Sequence, residues 1–302
     1  MGYTGKCVWR FGYGSNIGLQ VLQQKKNLNP QKYLTGTIKG WELYFTPGID
    51  HVEPGWAAVR QKYNDDSNAP VELHGSAFYI PEEEAQGLDQ QERGYNVLPC
   101  QFVSYGGEII EEVGLYVPKK KLPENSPEGI PSLRYLRLLQ KGAGEGNLAK
   151  HWIQRLDSFQ HYVTPPDVRS QTLMWISGFH DDPDRKDVVW TAEYLTKYNG
   201  SDPSFPAHTS VMGYIVRHAP DAWAFSSWKG HSITRRNLLQ FNGKSVDAND
   251  IRFGEPGFHP LPNLKNCDEE EKEFVMQNLE CLLHRGGVIV ARLKDFLDAQ
   301  ED

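Results

Sequence analysis

Phe11-Gly12-Tyr13-Gly14-Ser15-Asn16 is the stretch on which the reading of the fold depends. Ahead of it, Cys7 to Tyr13 alternates and is rich in aromatics, the pattern of a strand with one buried face. Behind it, Ile17 to Lys26 reads as the start of a helix. Glycines placed there free the backbone to present consecutive N–H groups where a helix begins, a position that favours anions. Strand, glycine-rich bend and helix are therefore the first element group, and the bend can grip a carboxylate or an oxyanion. Two familiar phosphate-binding patterns do not apply. The GxGxxG spacing would put its third glycine at position 17, which is Ile17, and no Walker lysine follows.

Working outward, Thr35 to Phe45, Gly55 to Gln61 and Val71 to Ile80 read as strands, with Asn64 to Ala69 as a polar loop. Glu82 to Gly94 reads as a helix: Pro81 precedes it, its first turn is acidic, and Glu92 lies near its far end. Gln101 to Val117 holds two strand-like runs around Gly106-Gly107, and helical patterns follow over Ser132 to Lys141 and Leu148 to Phe159. Strands interleaved with helices give a compact α+β domain. Thr164-Pro165-Pro166-Asp167 reads as a boundary that stops a helix and stiffens a linker, which divides the chain into residues 1–165 and 166–302. Beyond it, turn signals alternate with short β-like pieces such as Val211 to Arg217. A long helical pattern then spans Cys267 to His284, and a final VIVARLKDFL segment closes an extension of mixed α and β.

The 302 residues carry 32 Lys and Arg against 39 Asp and Glu, a formal charge of -7, with neither sign gathered into a long block. That balance argues against nucleic acid and membrane surfaces and leaves a small molecule or another protein as partner, with a homodimer as an open option. Cys7, Cys100, Cys267 and Cys281 stand far apart without CxxC spacing, so they read as reduced thiols and no metal site is expected from them. No stretch reaches the ~20 apolar residues that span a bilayer, and none resembles a signal peptide, so a cytoplasmic location is expected. Asn199-Gly200-Ser201 reads as an unmodified turn.

Three further stretches combine with Tyr13-Gly14-Ser15-Asn16 into a pattern that resembles the γ-glutamyl cyclotransferase family. These are LHGSAFYI at 73–80, Leu88-Asp89-Gln90-Gln91-Glu92 in an LDxxE arrangement, and Pro131-Ser132-Leu133-Arg134-Tyr135 followed by Gly142-Ala143. The resemblance covers about residues 7–160. It implies a small mixed β-barrel with flanking helices and a cofactor-independent reaction. The α-amine of a γ-glutamyl compound attacks its own γ-carbonyl, giving 5-oxoproline and a free amine. It further implies that Glu92 acts as general acid and base, that Tyr13, Gly14, Ser15 and Asn16 bind the glutamyl group, and that the Tyr135 hydroxyl hydrogen-bonds it. A YGSN rather than a YGSL-like bend favours γ-glutamyl amino acids or amines over glutathione.

Several other residues read as structural. Glu82, Glu83 and Glu84 belong on a solvated helix start and Arg93 on an exposed helix end. His180 to Asp184 lacks EF-hand spacing and reads as an acidic turn. Ser226, Ser227 and His231 lack a nucleophile-elbow context, and Trp223 to Trp228 reads as a small core. The resemblance does not account for residues 166–302, which leaves them as a cap or an interaction module. It also leaves a rival function: a non-catalytic binding or adaptor protein that keeps the fold while the extension contacts a partner.

Overall fold

The computed structural model describes residues 5–62, 71–123, 125–220, 228–242 and 263–301. The chain divides into two compact units, Met1–Ile49 with Glu53–Tyr162, and Asp50–Val52 with Val163–Asp302. The expected loop Asn64 to Ala69, the run Trp223 to Ser227 and the last turn signals before Asn263 lie outside the described residues.

In the first unit, β1 (Cys7–Gly12) is followed by the short helix α1 (Leu19–Lys25), β2 (Lys32–Lys39), β3 (Trp41–Ile49), β4 (Glu53–Gln61) and β5 (Glu72–Pro81). Then come α2 (Glu82–Gln91), β6 (Tyr95–Ser104), β7 (Ile109–Pro118), α3 (Leu133–Glu145) and α4 (Lys150–Ser158). Five strands close into a barrel in the order β1-β5-β2-β6-β7, in which the closing β1/β7 pair is parallel and the other pairs antiparallel. Closure leaves the barrel without a free edge. β3 and β4 form a separate two-stranded sheet. This is the α+β class with a small mixed barrel and flanking helices that the resemblance implies.

Phe11, Phe78 and Phe102 are fully buried with Ile38, Leu73 and Ile80, and the rings of Phe11 and Phe102 meet at 5.8 Å between centroids. Each such side chain contributes about 1.5–3 kcal/mol by leaving water. The helices bury one stripe each: Ala85 and Leu88 of α2, Leu136, Leu139 and Ala143 of α3, Trp152 and Leu156 of α4, spaced three or four residues apart. His74 of β5 is buried against Trp152, with Nδ1 2.7 Å from the Tyr105 hydroxyl and Nε2 3.2 Å from Nε2 of His151. Burial first, then the neighbouring His151 and Arg155, lowers its pKa to about 4.

Three expectations are corrected. The single run Thr35 to Phe45 is two strands, because Gly40 adopts a φ of +79° and turns the chain from β2 in the barrel to β3 in the hairpin. β6 begins at Tyr95, ahead of the expected Gln101, since Tyr95 to Cys100 pair with β7 even though Asn96, Leu98 and Pro99 are exposed. Pro165-Pro166 stiffens no linker: Pro166 is the first residue of α5 (Pro166–Asp181), where its fixed φ suits a helix and its missing N–H costs nothing.

The second unit continues with β8 (Val189–Trp190), α6 (Ala192–Thr196), β9 (His208–Val211), β10 (Tyr214–Arg217), α7 (Thr234–Phe241), α8 (Glu269–His284), β11 (Val288–Leu293) and α9 (Lys294–Glu301). The expected β-piece Val211 to Arg217 is the turn and second strand of a hairpin bent at Met212-Gly213, both at positive φ. The sheet runs β8-β11-β10-β9, with only the β8/β11 pair parallel, over a core of Leu195, Ile215, Ala291, Leu293 and Phe296. α8 opens with a local capping box: the Asp268 side chain accepts from Glu271 N, and the Glu271 side chain accepts from Asp268 N. Farther along α8, the fully buried Glu280 accepts from Thr164 Oγ1 at 2.8 Å and pairs with Arg169, which also grips Glu273. His218 is buried beside the Thr209 hydroxyl, and burial, followed by Lys229 and His208, lowers its pKa to about 4. A cleft of about 290 Å³ lies among Trp175, Phe179, Arg185, Leu283 and Val288.

The four cysteines form no disulfide. Among the described residues no helix is long and apolar enough to cross a membrane. No group of three or more His, Cys, Asp or Glu there is placed to hold a metal.

Candidate active site

β1 delivers Phe11 into the core and ends at Gly12, where the chain folds back so tightly that a Cβ would lie 2.2 Å from the carbonyl oxygen of Asn16. Only glycine fits there. Ile17 N donates to Gly14 O at 3.1 Å and closes the bend. Ile17 O in turn accepts from Tyr33 of β2 at 2.6 Å and from Ser76 of β5 at 2.9 Å, so two barrel strands pin its exit. The helix begins two residues later than expected, at Leu19, and lasts seven residues. The bend therefore offers its own amides rather than the first turn of a helix.

Glu92 reaches the bend from the other end of α2. Asp89 accepts two hydrogen bonds from Arg10, at 2.7 and 3.0 Å, and one from the Tyr116 hydroxyl at 2.7 Å. Burial opposes its ionisation, but these donors hold the Asp89 carboxyl below the usual carboxylate range. The last turn of α2 is thus clamped to β1 and β7. Glu92 follows as the C-cap, its N–H bonded to Leu88 O at 3.0 Å. Its Oε1 accepts from Asn16 Nδ2 at 3.1 Å and lies 3.5 Å from Lys26 Nζ. The side chain is 22% exposed, open enough to meet a molecule and closed enough to exclude bulk water on most sides.

Tyr135 comes from the first turn of α3, where Ser132 is the N-cap and accepts from Tyr135 N at 3.1 Å. Its hydroxyl accepts from Ala57 N at 3.4 Å and abuts Gly14, while Trp56 packs edge-on against its ring. All six expected site residues, Tyr13, Gly14, Ser15, Asn16, Glu92 and Tyr135, line one small cleft of about 40 Å³.

Phe11, Gly12, Ala57, Tyr95 and Tyr116 complete the lining, and none of these five is among the expected site residues. Alternation along β7 gives no signal for Tyr116, since it places Tyr116 opposite the face of Val113 and Leu115. Lys26 had no signal at all, since its partner is 66 positions away. Burial raises the phenol pKa of Tyr13, Tyr116 and Tyr135 well above the ordinary value and pushes Tyr95 up to about 12, so all four stay neutral. Tyr13 donates to Tyr116 O at 2.7 Å and Tyr95 to Ala57 O at 3.1 Å. Tyr135 accepts from Ala57 N, which leaves its own proton for the cleft. Asn16 Oδ1 is buried and has no hydrogen-bond partner among the described residues.

Elsewhere the structural readings of the sequence can be placed. Arg93 is exposed and its Nε donates to Gln90 O, and Asp182 accepts from Asp184 N beside Arg185 in a turn after α5. His231 is half-buried next to β9, and no hydrogen-bond partner meets its Nδ1 among the described residues.

No family model matches the chain. The γ-glutamyl cyclotransferase aclK of Aspergillus oryzae is 26% identical over 182 residues, 54% of this chain and 65% of that protein. The match therefore spans less than two thirds of that relative's length. The γ-glutamyl cyclotransferase gliK of Claviceps purpurea is 24% identical over 200 residues, 63% of this chain and 86% of that protein. A solved γ-glutamyl cyclotransferase superimposes on 55% of this chain and 98% of its own, at 17% identity and a TM-score of 0.41. The bend, the LDxxE glutamate and the PSxxY tyrosine lie on one cleft, and the N-terminal half of this chain is similar to γ-glutamyl cyclotransferases.

Proposed function

We propose that the cleft of the first unit is the active site of a γ-glutamyl cyclotransferase, which releases 5-oxoproline and a free amine from a γ-glutamyl amino acid, amine or conjugate. The observation that carries this reading is the 3.1 Å bond between Asn16 of the bend and Glu92 of the helix cap, which puts the oxyanion-binding backbone and the one carboxylate of the cleft within reach of the same small molecule.

The substrate brings its own nucleophile, so the protein has to fold it, handle protons and steady charge. Holding an amine against a carbonyl in one molecule gives an effective molarity of ~10⁵–10⁸ M. Glu92 takes a proton from the α-ammonium, freeing the nitrogen lone pair for attack on the γ-carbonyl. The same carboxyl then gives that proton to the departing nitrogen as the carbon–nitrogen bond breaks, and the second proton, shed by the ring nitrogen as it becomes an amide, is taken up by the released amine, which leaves as its ammonium form. The unpartnered Asn16 Oδ1 is a second acceptor for the ammonium. Amides of Gly14, Ser15 and Asn16, with the Tyr135 proton, face the glutamyl carboxylate or the oxygen that gains charge as the ring closes. The chemistry is assigned to residues 1–165, acting on a small molecule in the cytoplasm.

The test is to incubate the purified protein with γ-glutamyl-alanine, γ-glutamyl-lysine and glutathione and to measure 5-oxoproline by mass spectrometry. Turnover that persists unchanged in Glu92→Gln removes Glu92 from its role. Absence of both turnover and binding across the panel sinks the activity and favours the adaptor.

A further inference from the structure

A capping box normally closes a helix start with two residues of the same turn: the N-cap hydroxyl accepts from the N3 backbone N–H, and an N3 Glu or Gln reaches back to the N-cap N–H. At α3 the first half is present, since Ser132 Oγ accepts from Tyr135 N. The second half is not local, because N3 is Tyr135 itself. Its place is taken by a residue 79 positions earlier in the chain. Glu53, the first residue of β4 and 2% exposed, accepts from Ser132 N at 3.1 Å with Oε1. Its Oε2 accepts from Ser132 Oγ and from Arg134, both at 2.8 Å.

β4 therefore holds Tyr135 at two points. Glu53 fixes the cap that fixes the Tyr135 backbone, and Ala57, four residues on, donates its N–H to the Tyr135 hydroxyl. Supplying the carboxylate from β4 leaves the N3 position open to an aromatic side chain that a local capping box would exclude.

We infer that Glu53 is a positioning residue of the cleft: through Ser132 it sets where the Tyr135 phenol stands against Gly14. The inference rests on the cyclotransferase reading for its effect on turnover, and on the geometry alone for its effect on Tyr135.

Two measurements test it. The first is a double-mutant cycle on kcat/KM with a γ-glutamyl amino acid, using Glu53→Gln and Tyr135→Phe. Glu53→Gln lowers kcat/KM ~10-fold in the wild-type background and less than ~2-fold once Tyr135→Phe is present, because the two act as one unit. An equal loss in both backgrounds overturns the inference. The second is fluorine NMR of fluorotyrosine-labelled protein, with the Tyr135 signal assigned by its loss in Tyr135→Phe. Glu53→Gln shifts or broadens that signal and leaves those of Tyr13, Tyr95 and Tyr116 in place. A Tyr135 signal that stays put overturns the inference whatever the turnover. If the wild type turns over no γ-glutamyl compound, the cyclotransferase reading fails while the spectrum still decides on Glu53. If Glu53→Gln does not fold, Ser132→Ala cuts the same link and is held to the same spectral outcome.

Discussion

Each unit buries a glutamate almost completely, and the two are built alike. Glu53 in the first faces Ser132 and Arg134; Glu280 in the second faces Thr164 and Arg169. Both answer the cost of burying a carboxylate with a hydroxyl donor and a guanidinium. They differ in what lies next. Beyond Ser132 stands Tyr135, whose phenol lines the polar cleft, so the Glu53 pair is coupled to a place where a ligand fits. Beyond Thr164 and Arg169 stands the start of α5, and neither residue lines the larger cleft of that unit. The same device orders a site in one unit and ties two helices together in the other.

The largest expected effect breaks the comparison on its functional side. Glu92→Gln lowers 5-oxoproline release ~10²–10⁴-fold, since the proton transfers lose their acid and base, while the melting temperature stays within experimental scatter. Next, Glu280→Ala removes the acceptor shared by Thr164 and Arg169, while Arg169 keeps Glu273, and costs about 1.5–3 kcal/mol of stability. Urea unfolding checks this, and turnover per folded molecule is expected unchanged; a fall in that turnover would erase the contrast between the two glutamates.

A pH titration sharpens the comparison, because each unit holds a buried histidine whose pKa is lowered to about 4, His74 in the first and His218 in the second. For such a group the unfolded chain binds the proton first, near pH 6.5, so stability is complete above that value and is lost as pH falls toward 4. One histidine accounts for at most about 3 kcal/mol over that window. Urea midpoints measured between pH 7 and 4 should therefore slope less steeply for His74→Gln and for His218→Gln than for the wild type, and an unaltered slope refutes the assignment. The smallest effect is at the cap made wholly of local residues. Asp268→Ala costs about 1 kcal/mol in the same assay and leaves turnover unchanged.

The two caps also show what a sequence yields. The α8 box is written in four consecutive residues, Asp268 to Glu271, ahead of an apolar periodicity, and such a start can be read directly. The α3 box is half written, and its other half is a lone Glu53 in a turn-like stretch, with nothing nearby to mark it. The same distinction runs through the fold. Alternation revealed β1, β4 and β5, yet it ran unbroken through TGTIKGWELYF and concealed the turn at Gly40. Pro166 reads alike as a helix breaker and as a helix first residue, and only the residues that follow decide. At the cleft, the bend and Glu92 were legible because motif spacing recorded them. Lys26, Ala57 and Tyr95 were not, because they meet Glu92, Tyr135 or each other only once the barrel, the β3/β4 hairpin and the helices pack together.

The Asn16–Glu92 bond ties the bend directly to the helix cap, so the protein itself fixes the two sides of the cleft relative to one another. Little motion remains to be frozen on association, and the entropic penalty of complex formation should be correspondingly small. A rigid five-membered lactam, shaped like the released ring, would then be expected to associate without a slow isomerisation step, its rate rising linearly with concentration in stopped-flow traces.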